Sequence, residues 1–153
     1  MNIGLAGNQT EITEWQVKGF VSLAKRLKDK YGSITYFIGN APVCDFELLN
    51  AILKFKLASS VIFYPYKGDG NPSYVPNEKS FGPLIVKREK EMTVFERNRD
   101  MIAKCKAMIV VPKENYEAKE SESWAAVRYC KQMAKTVFII HTDGKTVRIA
   151  GGK

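Results

Sequence analysis

AMIVVPKENYEAKESESWAAVRYCKQMAKTVFIIH, residues 107–141, carries the pattern that decides the fold. Ala107 to Val111 is an apolar run of strand length, ended by Pro112, which cannot donate to a continuing ladder. Ser121 or Ser123 then caps an amphipathic stretch running to about Ala134, and Thr136 to His141 is a second strand-like run. Two near-continuous apolar strands around one helix read as a βαβ unit with parallel strands, covered on both faces.

Working outward, the same alternation repeats. Asn2 to Ala6 reads as a strand closed by Gly7. Apolar residues from Glu11 to Lys30 (Trp15, Val17, Phe20, Val21, Leu23, Ala24, Leu27) recur at helical spacing, with Thr13 or Thr10 as cap and Tyr31-Gly32 as stop. Ile34 to Ile38 is a strand. The turn Gly39-Asn40-Ala41-Pro42 leads to a helix starting at Asp45, whose buried face is Phe46, Leu48, Leu49, Ile52, Leu53 and Phe55. Ser60 to Tyr64 is a third strand. Pro65 to Pro83 is a long loop rich in Gly, Pro, Asn and Ser, a kind that often carries function. Leu84 to Val86 is a short strand, and Phe95 to Lys104 a helix anchored by Phe95, Met101 and Ile102. Asp143-Gly144 is a hairpin turn, and Thr146 to Ile149 closes a terminal ribbon. The expected fold is a single α/β domain over residues 1–153: a Rossmann-like, doubly wound, mainly parallel sheet with a C-terminal hairpin.

Composition narrows the function. The chain has 153 residues, 45% hydrophobic and 26% charged, which fits a globular domain. It shows no apolar run of membrane length and no basic-then-apolar leader in MNIGLAGNQTE, so a cytoplasmic protein without a membrane partner is expected. Cys44, Cys105 and Cys130 are too scattered for a disulfide framework or a zinc site, and burial is expected for all three. Lys and Arg number 24 against 16 Asp and Glu, a formal net charge of +8. That surplus favours anionic partners, although the lysines are dispersed along the chain. No P-loop, Gly-x-Gly-x-x-Gly motif or metal-ligand spacing is present, and His141 is the single histidine. No metal or cofactor is expected.

In doubly wound sheets, ligands lie beyond the carboxyl ends of the strands. The residues that follow each strand are therefore the candidate site. Gly7 and Asn8 open the first βα turn, where a tight backbone can present amides to a phosphate. Gly39 and Ala41, flanking Asn40, let a ligand approach the backbone, and Asp45 at the next helix start either caps that helix or hydrogen-bonds ribose hydroxyls. Tyr64 and Tyr66 offer aromatic faces. Arg97, Asn98 and Arg99 are expected at a helix start, where guanidinium and amide groups would converge on an anion. Ser121, Ser123 and Trp124 open the last helix, with Glu120 and Glu122 beside them.

The order of these motifs resembles the SLOG superfamily, which includes the Rossmann domain of DNA-processing protein A and the Lonely Guy phosphoribohydrolases. The resemblance rests on the Gly39-Ala41-Asp45 turn, the Tyr-Pro loop, the Arg97-Asn98 pair and the Ser-x-Ser-Trp helix start, and runs from Met1 to about His141. It implies one nucleotide pocket lined by Gly39, Ala41, Asp45, Arg97, Asn98, Ser121 and Ser123. Three departures stand out. Gly7-Asn8-Gln9 replaces the family's usual Gly-Ser-Arg turn, and Val43 replaces the second glycine of its Gly-Ala-x-Gly-x-Asp turn. Glu120-Ser121-Glu122-Ser123-Trp124 stands where the Lonely Guy enzymes carry Pro-Gly-Gly-x-Gly-Thr-x-x-Glu. The first expectation is therefore a sensor or sequestering protein for a small anionic ligand: a nucleotide, cyclic nucleotide or ADP-ribose-like molecule. A sensor of this kind would belong to a bacterium or to one of its phages, and the resemblance also suggests a homo-oligomer. The alternative is an N-glycosidase acting on a nucleoside monophosphate, a hydrolase using Glu122, Glu120 or Asp45 as catalytic carboxylates. A third reading is a single-stranded nucleic-acid binder stacking bases on Tyr64, Tyr66 and Tyr74.

Overall fold

A computed structural model describes residues 1–8, 10–39, 43–64, 85–88 and 93–151. The strands are β1 (Asn2–Gly7), β2 (Thr35–Gly39), β3 (Ser60–Tyr64), β4 (Ile85–Arg88), β5 (Ala107–Val111), β6 (Thr136–Ile140) and β7 (Thr146–Ile149). The helices are α1 (Glu14–Tyr31), α2 (Cys44–Phe55), α3 (Val94–Lys104) and α4 (Glu122–Gln132). Among the described residues the strands form one sheet in the order β4-β3-β2-β1-β5-β6-β7. Every neighbouring pair is parallel except β6 and β7, where Ile140 faces Thr146 across the hairpin. The chain winds outward from β1 to β4 and then returns to the other side of β1 as β5. The order reverses between β1 and β5, and a crevice opens there at the carboxyl ends.

The alternation of side chains assigns the two faces. Ile3, Leu5, Tyr36, Ile38, Ile109, Val111 and Ile140 pack under α1 and α2. Ala6, Phe37, Met108, Val110, Val137 and Ile139 pack under α3 and α4. Both faces of the central strands are covered, which is why these strands read as unbroken apolar runs.

Two sequence expectations, for Phe95 and Phe55, need correction, and one apolar residue of α1 lies off its buried stripe. Trp15 is 59% exposed, because the buried stripe of α1 is Gln16, Phe20, Leu23, Ala24 and Leu27. A residue five positions before Phe20 lies well round the helix from that stripe. Phe95 is 62% exposed rather than a core anchor, since it sits in the first turn of α3 while Met101 and Ile102 carry the packing. Phe55, also read as buried, is the last residue of α2 and is exposed, with Lys25 and Lys54 over its ring. Cys44, Cys105 and Cys130 are buried free thiols. The loop expected over 65–83, with Tyr66 and Tyr74, lies outside the described residues.

Candidate functional site

The carboxyl edge is built by local hydrogen bonds that the sequence dictates. Asn8 follows β1, and its Oδ1 accepts from the backbone N–H groups of Thr10 (3.0 Å) and Glu11 (2.7 Å), an Asx-type turn. Its amide group donates to the Glu11 and Val111 carbonyls. The Asn8 side chain therefore fixes the turn and ties it to β5. Thr13 caps α1 in a capping box with Gln16: Thr13 Oγ1 accepts from Gln16 N and Gln16 Oε1 accepts from Thr13 N. Gln16 is buried, and its Nε2 donates to the Pro112 carbonyl (2.7 Å) and the Ile140 carbonyl (3.0 Å). One side chain thus holds the start of α1 against the ends of β5 and β6.

The segment from β5 to α4 is fastened from the helix side. Trp124 Nε1 donates to the Glu114 carbonyl (3.2 Å), and Arg128 donates to the carbonyls of Ala118 and Lys119. Ser121 is the cap of α4, its Oγ accepting from Trp124 N (3.3 Å). The ring of His141 lies against Trp124, centroids 6.3 Å apart.

Between the β1–α1 turn and the start of α4 lies a cavity of about 460 Å³. It is lined by Asn8, Thr10, Lys113, Glu114, Ala118 and the run Glu120 to Ser123. It sits at the β1/β5 reversal and, among the described residues, is lined by three carboxylates, Glu114, Glu120 and Glu122, against one lysine. Ser123 is 1% exposed, and its hydroxyl has no hydrogen-bond partner among the described residues. Glu114 was not singled out from the sequence. It lies three residues past the end of β5, and the rule that ligands gather beyond strand ends was the available signal.

Arg97 and Asn98 form a second part of the edge. Thr93 caps α3, its Oγ1 accepting from Glu96 N, so α3 begins earlier than the sequence reading placed it. The backbone N–H of Arg97 already donates to the Thr93 carbonyl. These residues therefore contribute side chains to the edge rather than free helix-terminal amides. Arg97 is 5% exposed, and its guanidinium lies against the backbone of Gly39, filling the space a Cβ there would need. Its Nε has no partner among the described residues. Asn98 is 8% exposed, its Oδ1 likewise has no partner there, and it lines a narrow cleft between α3 and α4 with Arg99, Ala125 and Tyr129.

Gly7 is also filled from the protein side, since a Cβ there would meet Cys44 Sγ. That contact brings the first turn of α2 to the end of β1. Asp45 is buried in that turn but is not the cap: Val43 holds the cap position and makes no side-chain capping bond. Tyr64 ends β3 beside Gly39, and only its backbone is described. Asn40, Ala41 and Tyr66 lie outside the described residues. The structure thus places Glu120, Ser121, Glu122, Ser123 and Asn8 around one cavity, sets Arg97 on Gly39, and holds Trp124 as the clamp on the Glu114 loop.

Among the described residues no group of three or more His, Cys, Asp or Glu is placed to hold a metal ion. No described helix is long and apolar enough to cross a membrane.

Sheet order, crossovers and a crevice at the reversal define a Rossmann-like α/β protein. No protein-family model matches the chain, and no curated protein matches it. A solved structure that it resembles is the X-ray structure of TM1055, a structural-genomics target, with a TM-score of 0.56 and 12% identity over 89% of this chain and 71% of that one. The likeness extends to the fold.

Proposed function

We propose that this chain binds a nucleotide-derived ligand at its carboxyl edge in the manner of the SLOG superfamily, as a cytoplasmic sensor or sequestering protein. The observation that carries this reading is a group of buried polar atoms at that edge with no partner among the described residues, Arg97 Nε, Asn98 Oδ1, Ser123 Oγ and Glu114 Oε1 among them. Burying a polar group without a partner costs about 1–3 kcal/mol each, so their persistence at a ligand edge supports a polar occupant. Arg97 supplies the cation for a phosphate, and the carboxylates around the 460 Å³ cavity suit ribose hydroxyls better than a second phosphate. An apolar-walled groove of about 780 Å³ between α1 and α2, with Val17, Val21 and Phe55 in its wall, is the surface a homo-oligomer would cover.

The test is a thermal-shift screen with nucleoside monophosphates, cyclic nucleotides and ADP-ribose. A true ligand at a hundredfold excess over its Kd raises stability by about 2.7 kcal/mol. Arg97→Ala is expected to weaken its binding by about 2 kcal/mol, the scale of a charge-assisted contact. A screen in which no member shifts the melt sinks the proposal.

The three cavity carboxylates favour a second reading, N-glycoside hydrolysis. One carboxylate would stabilise the oxocarbenium-like centre or take a proton from water as the C–N bond breaks, giving ribose 5-phosphate and free base. Release of base from a nucleoside monophosphate, abolished in Glu122→Gln with binding retained, would establish it. Binding without release supports the sensor.

A further inference from the structure

At the other end of the sheet, by the amino ends of the strands, the last turns of α1 meet β5, β6 and β7 around a cleft of about 350 Å³. Four cationic side chains line it: Arg26 and Lys30 from α1, Lys106 just before β5, and Arg148 from β7. Among the described residues no carboxylate lines it. None of the four has an ion-pair partner among the described residues, whereas Lys18, Lys104, Arg128 and Lys145 all do. Lys30 lies in the last turn of α1, where a cation complements the helix dipole. That accounts for one charge of the four. Lys106, just before β5, and Arg148, in β7, come from separate segments, and like charges gathered without a counter-charge repel one another. Tyr31, 46% exposed, stands at the mouth with Lys30 Nζ 5.2 Å from its ring centroid.

We propose that this cleft is a binding site for an oligophosphate group, separate from the carboxyl-edge site. A single phosphate monoester carries about −1.5 to −2 at neutral pH and would leave about half of the four cations unmatched. A triphosphate meets them all. Arginines engage phosphate oxygens in pairs of hydrogen bonds, and lysines act as point charges. The group is either inorganic triphosphate or the tail of a nucleoside triphosphate whose base stacks on Tyr31. The site shares no residue with the carboxyl edge, so each stands or falls alone.

Calorimetric titration with inorganic triphosphate, a nucleoside triphosphate and inorganic phosphate tests this, in the wild type and in Arg26→Ala/Arg148→Ala. Triphosphate is expected to bind the wild type, to weaken as salt is added, and to lose at least tenfold in affinity in the double variant. Inorganic phosphate should bind much more weakly. The free double variant should melt no lower than the wild type, because repulsion has been relieved. Lys30→Gln/Lys106→Gln, changed at exposed positions, gives an independent check if the arginine pair fails to fold. A nucleoside triphosphate tenfold tighter than the inorganic ion identifies the nucleotide as the source, and equal affinity assigns the inorganic one. The proposal is overturned by absence of triphosphate binding, by equal affinity in wild type and variants, or by loss of binding in Arg97→Ala alone. It is also overturned if a single-stranded oligonucleotide binds through these four residues more tightly than triphosphate does.

Discussion

Gly39 and Gly7 end neighbouring strands, yet alanine at each should have different consequences. At Gly39 an added Cβ meets the guanidinium of Arg97, the far end of a flexible side chain that can swing away. At Gly7 it meets Cys44 Sγ and Cβ, on a short side chain that is fully buried at the start of α2. Gly39→Ala is therefore expected to change stability by less than about 1 kcal/mol while displacing Arg97 and weakening nucleotide binding. Gly7→Ala should cost about 1–3 kcal/mol through overpacking. Urea unfolding of both variants, with a titration of any ligand found for the wild type, checks the contrast; equal stability losses would refute it. Asp45, Arg97, Asn98 and Ser123 were legible in the sequence because each is polar and lies within the first turns of a helix that follows a strand. Their burial was not legible. Arg97 reaches the end of β2 from α3, a contact that depends on the crossover rather than on local spacing.

The elements that frame the crevice depend on a few side chains that bridge them. Gln16 is the strongest case, since it completes the α1 capping box and donates to carbonyls at the ends of both β5 and β6. Gln16→Leu fits the apolar stripe by volume but leaves the Pro112 and Ile140 carbonyls without that donor. The loss should be about 2–3 kcal/mol, the sum of two or three buried hydrogen bonds, read from the urea midpoint. An unchanged midpoint would show that neither carbonyl depends on Gln16. At this scale two of the four described helix starts could be read ahead, because Thr13 and Ser121 are good caps in the right places. The start of α2 could not, since Val43 occupies its cap position without a capping side chain, and the sequence drew attention to Asp45 instead. Gln16 was passed over for a related reason. On an amphipathic helix a polar residue is assigned by default to the solvent side, and only the approach of two strand ends makes its burial favourable.

Across the whole molecule, the sheet was legible because parallel strands buried on both faces leave continuous apolar runs. The distribution of charge was not. Arg26 and Lys30 share one helix, but Lys106 and Arg148 lie far from them along the chain, and folding brings all four to one cleft. The interior also sets how the molecule responds to alkali. Burial pushes the thiols of Cys105 and Cys130 up from the ordinary 9.0 to about 12, with Lys135 opposing in both cases. Burial raises Cys44 as well, helped by the charges of Asp45 and Glu47. Tyr36 is raised by burial in the same direction. In the unfolded chain these thiols ionise near their ordinary value, while in the native protein they stay protonated. Above pH 9.0 the unfolded state therefore binds fewer protons than the native state, and stability must fall as pH rises. Below that value the thiols contribute no slope. Urea midpoints should be level with respect to these groups up to pH 9.0, decline from there towards about pH 12, and decline less steeply in Cys105→Ala/Cys130→Ala. For the same reason a thiol reagent near neutral pH should modify all three cysteines only after unfolding. Rapid labelling of the native protein, or a decline whose slope is unchanged in the double variant, would show that these thiols are accessible to solvent.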